Sequence, residues 1–301
     1  MKLKYIVKNS DESIKQILKN EFNMSDRFIL KLKNNKSIFL NGFSVPIYHS
    51  IFENDILEII ENVEEDSSNI VPNSFLEFKI LFEDDFLLVV DKPANMPVHP
   101  SILHYEDSLS NGIKFYFDKI GLKKKIRPVN RLDKDTSGIV IFAKNEYIQE
   151  CLIKQMKSNQ FVKEYLGIVD GYLNQISGTI DAPIARKEGS IIEREINING
   201  DHSVTHFEVI KQFEIFSSNI NSNIKLSLVK FKLETGRTHQ IRVHTKYIGH
   251  PLIGDSLYGK ESCLISRQAL HSYKVSFIHP IKKENLVFEI ELPNDMKKIL
   301  N

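Results

Sequence analysis

The chain opens on alternating apolar positions, and Leu3, Tyr5 and Val7 predict a short strand. From Ser13 the spacing changes: Ile14, Ile17, Leu18 and Phe22 fall on one face of a helix. Ser25 then stands before Asp26–Lys33, which reads as a second helix with serine at its cap. Ser37–Leu40 predicts a strand that runs into Asn41-Gly42, a dipeptide suited to a tight hairpin turn. Val45–Ile47 and Asp55–Ile60 predict two more short strands.

The pattern then lapses. Glu61, Glu64, Glu65 and Asp66, several serines and Pro72 show little apolar periodicity, which predicts an exposed linker. From about Phe75 short β-like runs return at Ile80–Phe82, Phe86–Val90, Ile139–Phe142, Tyr165–Val169, Leu226–Leu233 and Leu286–Ile290. Helical stretches at Ser108–Phe117, Glu146–Lys157 and Thr238–Ile248 interrupt them. Strands and helices mix without strict βαβ alternation, so an α+β domain on a mixed, largely antiparallel sheet is expected. Ser217–Asn223 reads as a polar hairpin tip, and no repeat of fixed period is present. The expected division is a small α/β module over 1–62, an acidic linker over 63–74 and one large domain over 75–301.

Composition narrows this picture. The chain has 301 residues, with 40 Lys plus Arg against 39 Asp plus Glu, so the global basic excess typical of nucleic-acid binders is missing. Cys151 and Cys263 stand far apart, outside any zinc-ligand spacing, as expected of reduced thiols in a cytoplasmic protein. No apolar run approaches the ~18 residues of a membrane span, and Met1-Lys-Leu-Lys-Tyr5 leads into no apolar signal segment.

Three segments concentrate chemistry. Pro128–Lys144 places Arg131, Asp133, Lys134, Asp135, Thr136, Ser137 and Gly138 in a loop before an apolar strand. Asp133 could serve as nucleophile or base beside a cation, Asp133 and Asp135 could hold a divalent metal, or the run could be a solvated turn. Glu234–His244 puts a Thr-Gly-Arg turn before a helix on which His239 and Arg242 are neighbours, with Ile241, Val243, His244 and Tyr247 able to face inward. Gly249 and Pro251 end that helix. Tyr165 opens an apolar strand, where an aromatic side chain is usually core. Lys92 and His99, in a proline-rich loop, could contact phosphate or simply be exposed.

Taken together and in order, these segments resemble a pseudouridine synthase of the RluA/RluD family. The elements that carry the likeness are Asp91-Lys-Pro-Ala94 with His99-Pro100; Arg131-Leu-Asp-Lys-Asp-Thr-Ser-Gly138; Lys163-Glu-Tyr-Leu166; Thr235-Gly-Arg-Thr-His-Gln-Ile-Arg-Val-His244; and Gly249-His-Pro251 with Gly254-Asp255 and Leu257-Tyr-Gly259. The likeness covers about Ile80 to Pro293. The first zone resembles an S4-type RNA-binding module, through Ser25–Lys33, Leu40-Asn-Gly42 and Asp55–Ile59. Two positions depart from the family pattern: Asn130, where His is usual, and Asn95, where Gly is common; Asn also accepts positive φ.

The resemblance implies the pseudouridine synthase fold, an RNA isomerase activity, and no metal or cofactor. Asp133 becomes the catalytic aspartate, Arg242 its ion-pair partner, and Tyr165 the residue that packs on the uracil face or helps move the C5 proton. Arg131 fills the space that the flipped uridine leaves. His99, Arg237 and His239 are assigned to RNA contact, as are Arg27, Lys31, Lys33 and Lys36 of the S4-like module. The expected partner is ribosomal RNA of the large subunit, the expected state a monomer. Transfer RNA as substrate, a non-catalytic ribosome-assembly protein and a nucleoside or glycoside hydrolase are the alternatives. Charge is uneven in a way that suits RNA: acid gathers in the linker, while Lys123-Lys-Lys125 and Arg127 lead into the Arg131 loop.

Overall fold

The computed structural model describes residues 1–9, 12–61, 69–217 and 222–301. The N-terminal part contains β1 (Lys2–Ile6), α1 (Ile14–Asn20), α2 (Asp26–Asn34), β2 (Ile38–Leu40), β3 (Phe43–Ser44) and β4 (Ile56–Ile60). Its strands form an antiparallel sheet in the order β1-β4-β2-β3. Ser13 starts α1 through a capping box with Gln16, and Ser25 Oγ accepts the Phe28 N–H at 3.2 Å to start α2. Asn41 and Gly42 both take positive φ, 50° and 86°, which gives the twisted two-residue turn of the β2–β3 hairpin. The strand expected at Val45–Ile47 does not form: pairing stops at Ser44, two residues before Pro46, which has no N–H to offer a ladder.

Two residues in the stretch read as exposed, Glu61 and Ile70, are packed against the fold. Glu61 is buried; its carboxylate lies 3.0 Å from Lys31 Nζ and its carbonyl takes the N-terminal ammonium at 2.6 Å. Ile70 is buried, and the Val71 carbonyl accepts Asn111 Nδ2 at 2.8 Å, so the chain is already attached to the large domain there. The remaining acidic residues, Glu64, Glu65 and Asp66, lie outside the described residues.

The second part continues with β5 (Lys79–Glu83), β6 (Leu87–Lys92), α3 (Leu109–Lys119), β7 (Ser137–Ala143), α4 (Glu146–Lys157) and β8 (Val162–Asp170). Then come β9 (Ser177–Asp181), β10 (Ile184–Arg186), β11 (Arg194–Ile196), β12 (Val204–Ser217) and β13 (Ser222–Leu233). It ends with α5 (Gln240–Tyr247), β14 (Leu270–Ile278), β15 (Asn285–Glu289) and α6 (Asn294–Leu300). Nine strands form one sheet in the order β5-β6-β7-β14-β8-β13-β12-β9, with β15 beside β14, and β10–β11 is a separate hairpin. The tip between β12 and β13 lies outside the described residues. Every pairing in the large sheet is antiparallel except β7 with β14, which touch in parallel at Ser137–His271 and Gly138–Ser272.

Period-2 alternation sorts the central strands onto two cores. Leu88, Val90, Val140 and Phe142 pack with Leu109, Ile113 and Phe117 of α3. Leu87, Val89, Ile139 and Ile141 pack on the other face with Tyr147, Ile148 and Leu152 of α4, in the same cluster as the N-terminal core. That shared cluster docks α2 on α4. The rings of Phe28 and Tyr147 stack at 5.7 Å, Tyr147 Oη donates to the Phe22 carbonyl at 2.8 Å, and Ser25 Oγ donates to Glu150 at 2.9 Å.

Candidate functional site

The loop before β7 is braced from three sides. Asn130 is buried, and its amide donates to the Ile139 carbonyl (3.0 Å) while accepting the Ile141 N–H (2.9 Å). It thus imitates one more strand residue beside β7. Lys92 is neither exposed nor a phosphate contact, contrary to both readings of the sequence. It is wholly buried at the end of β6 and donates to the carbonyls of Pro93 (2.9 Å), Met96 (2.7 Å) and Lys134 (2.9 Å). Burial pulls its pKa down to about 7, against the opposing charges of Asp135 and Asp133. Asn95 takes φ 59° in the turn that Lys92 grips. From the third side Arg267 donates to the Asp135 carbonyl at 3.0 Å and Gln268 to Thr136 Oγ1 at 3.2 Å.

Asp133 emerges from this loop and meets Arg242, whose Nη1 lies 3.3 Å from Oδ2; His239 Nε2 is 3.9 Å from Oδ1. Arg242 is itself gripped from behind. Its Nε and Nη2 donate to the two oxygens of Asp255 at 2.7 and 2.9 Å, and Asp255 Oδ1 also accepts the N–H groups of Leu257 and Tyr258 at 3.1 Å each. The Tyr258 ring lies 5.0 Å from the guanidinium, and its hydroxyl is 2.8 Å from His239 Nδ1. Burial would lower the Arg242 pKa, but the bonds and charge of Asp255, then Asp133, raise it, so the cation is secure. Burial lowers that of His239, which favours the neutral imidazole.

Arg242 reaches this position because α5 starts late. His239 adopts a left-handed conformation, φ 59°, so the helix begins at Gln240 rather than Thr238 and Arg242 sits in its first turn. The Gln240 amide ties the turn to β12, accepting from Thr235 Oγ1 and the Arg237 N–H and donating to the Val204 carbonyl and Thr205 Oγ1. At the other end Gly249 at φ 83° and the paired bonds Gly249 N to Lys246 O and His250 N to Thr245 O close the helix. Tyr247, expected to face inward, is 60% exposed at the last turn.

These groups open onto a cleft of about 810 Å³ whose lining includes Arg131, Asp133, Tyr165, Arg237, His99 and Lys163. A smaller recess of about 60 Å³ continues from it to His239 and Arg242. Tyr165 is 6% exposed; burial and the Asp133 charge raise its pKa, so the phenol keeps its proton. Burial and the Arg131 charge lower that of His99. Seven of the eleven residues expected at the site therefore surround one cleft. The four from the N-terminal module do not line it. Of these, Lys31 is spent on protein, 3.0 Å from Glu61 and 3.2 Å from Glu146, and Arg27 lies 3.4 Å from Glu146 at the surface; Lys33 and Lys36 are exposed. Asp255 and Tyr258 were visible in the sequence only as members of a motif, with nothing to show that they hold Arg242. Among the described residues no three His, Cys, Asp or Glu are grouped to hold a metal ion, and no helix is long and apolar enough to cross a membrane.

Known proteins bear on this arrangement. Residues 86–247, which carry the braced loop, Tyr165 and Arg242, match the RNA pseudouridylate synthase family. The chain is 38% identical over 281 residues to a Bacillus subtilis (strain 168) protein named "uncharacterized RNA pseudouridine synthase YjbO", covering 93% of this chain and 95% of that one. It is 37% identical to ribosomal large subunit pseudouridine synthase D of Zymomonas mobilis, covering 74% and 71% of the two chains. Among solved structures, human RNA pseudouridylate synthase domain containing 1 shares the fold, with TM-score 0.58 and 24% identity over 74% of this chain and 86% of that one. A sheet of this topology with that sequence kinship leaves one assignment: the chain belongs to the RNA pseudouridylate synthases of the RluA/RluD type, isomerases that convert uridine to pseudouridine in RNA.

Proposed function

We propose that this enzyme modifies uridines of large-subunit ribosomal RNA, with Asp133 as its catalytic carboxylate. The observation that carries the second part is the pairing of Asp133 with an arginine whose far edge is already fixed by Asp255. A cation held in this way fixes the carboxylate and aims it. The isomerisation breaks the N1–C1′ bond, turns the uracil and forms C5–C1′, while the C5 proton leaves and N1 gains one, so atoms balance without a co-substrate. Asp133 acts on the sugar, at C1′ as nucleophile or at C2′ as base. Tyr165 offers the base an aromatic face and a protonated phenol. Arg131, exposed at the mouth, takes the place of the extruded nucleotide, since base chemistry requires the target to leave its stack.

The choice of ribosomal RNA rests on relatives named ribosomal large subunit pseudouridine synthase D, from Zymomonas mobilis and Nitrosomonas europaea. In this reading residues 1–62 form an S4-like module that adds RNA contacts through Arg27, Lys33 and Lys36, residues 75–301 are the catalytic domain, and Lys31 fastens the module to α4. The test offers unmodified transcripts of bacterial large-subunit ribosomal RNA and of transfer RNA and reads pseudouridine by carbodiimide labelling. Asp133→Asn should bind the transcript and form no product, while Asp135→Asn keeps substantial turnover. Turnover by Asp133→Asn would overturn the catalytic assignment. Pseudouridine that appears only in transfer RNA would overturn the substrate.

A further inference from the structure

We propose that Lys163 is a seat for a phosphate of the RNA backbone beside the target uridine; this rests on the reading of the cleft as the RNA site. Lys163 and Tyr165 are two apart on β8 and therefore point to the same side of the strand. Both line the cleft with Asp133 and Arg131. The Lys163 ammonium lies over the backbone of Gly236, where an added Cβ would come within 3.1 Å of Nζ. Nearby carboxylates are committed elsewhere. Glu164 accepts the Tyr273 hydroxyl at 2.7 Å, Glu234 lies 2.6 Å from His206 Nε2, and Asp133 is held by Arg242.

The Lys163 ammonium has no hydrogen bond or ion pair among the described residues, although its backbone pairs with β14. Burial alone lowers its pKa, with no neighbouring charge to offset it. The half-buried ammonium opens onto the cleft with no counter-charge of its own, and a cation placed there draws an anion that arrives from outside. Uracil is neutral and ribose is neutral. The phosphodiester is the anionic group of RNA, and a compact ammonium suits it as a point charge. Arg131 and Arg237 at the same mouth can follow the adjoining backbone, while Lys163 fixes one phosphate relative to Tyr165.

The experiment measures binding of the unmodified ribosomal RNA transcript against KCl concentration, with pseudouridine formation read in parallel. Lys163→Met should weaken binding about tenfold and flatten the slope of log K against log salt by about 0.7–0.9, the share of one phosphate. The loss in kcat/KM should fall mainly on KM, and Lys163→Arg should restore both affinity and slope. Lys163→Gln keeps a polar chain without the charge, so affinity and slope should both fall as in Lys163→Met; this variant decides if Lys163→Met fails to melt cooperatively. An unchanged slope in a folded Lys163→Met or Lys163→Gln overturns the proposal. Absence of pseudouridine from the wild-type reaction would instead sink the function reading, and the binding slopes would still report on the seat.

Discussion

Replacing Asp255 with Asn tests whether the site is built from behind. The change is nearly isosteric. An amide oxygen at the Oδ1 position keeps the Leu257 and Tyr258 N–H bonds and one guanidinium bond. The amide nitrogen then replaces Oδ2, which now accepts Arg242 Nε at 2.7 Å, so two donors face each other where donor and acceptor met. The Asp255 side chain is fully buried and that of Arg242 is 9% exposed, so water cannot repair the loss. Removing one partner of a buried pair costs about 3–5 kcal/mol, a large share of a total stability of order 5–15 kcal/mol. Arg242 is left with Asp133 as its only carboxylate, 3.3 Å away through Nη1, and is free to shift. A displacement of ~1 Å at a reacting group lowers rate by roughly 10²-fold. Urea unfolding and single-turnover pseudouridine formation give the two numbers. The double variant Asp255→Asn/Arg242→Met separates them: with both charges gone, stability should recover relative to Asp255→Asn while activity does not. A urea midpoint at the wild-type value, with a rate within about threefold, would refute the clamp.

Further outcomes follow from the same geometry. His271 is 1% exposed and burial pushes its pKa down to about 4, whereas the unfolded chain titrates near 6.5. Between those values the unfolded chain holds the extra proton, so the stability that neutral His271 contributes is complete above pH 6.5 and is lost as pH falls towards 4, by up to about 3 kcal/mol; urea midpoints against pH should show this slope and His271→Gln should remove it. Gly254 sits at φ 73° with the Arg267 carbonyl 2.2 Å from any added Cβ, so Gly254→Ala should cost about 2–4 kcal/mol by thermal melting and slow turnover, because Arg267 braces Asp135. Tyr147→Ala removes a fully buried ring shared by α2 and α4 and should cost about 3–5 kcal/mol in urea.

What could be read from the sequence divides along physical lines. Local signals were legible: the serine caps of α1 and α2, the Asn-Gly turn, and α4 with its bounds. The segments that escaped lack a clean period. In β12 a register shift between Val209 and Lys211 breaks alternation, and the short β10–β11 hairpin carries too few residues for any pattern. Asp133, Tyr165 and Arg242 were legible as motif members, and the structure brings them together. What was not legible is which group faces which. Lys92 reads as a surface cation until the fold wraps three carbonyls around it, and Lys31 reads as an RNA contact until Glu146 arrives from 115 residues away. Long-range pairing of this kind leaves no trace in local spacing.

The parallel contact between β7 and β14 has a mechanical consequence. It divides the sheet into two leaves: β5-β6-β7 on one side and β14-β8-β13-β12-β9, with β15 beside β14, on the other. Asp133 and Arg131 ride on the first leaf; Tyr165, Lys163 and Arg242 ride on the second. The leaves are stitched by two residue pairs, one of them the Gly138–Ser272 pair, where an added Cβ on Gly138 would lie 2.3 Å from the Ser272 carbonyl. Sliding one leaf by a single residue would carry the carboxylate about 3.3 Å past its tyrosine and arginine. Alignment of the reacting groups is thus a property of a short seam between the leaves, and a methyl group placed there acts as a shim on the whole active site.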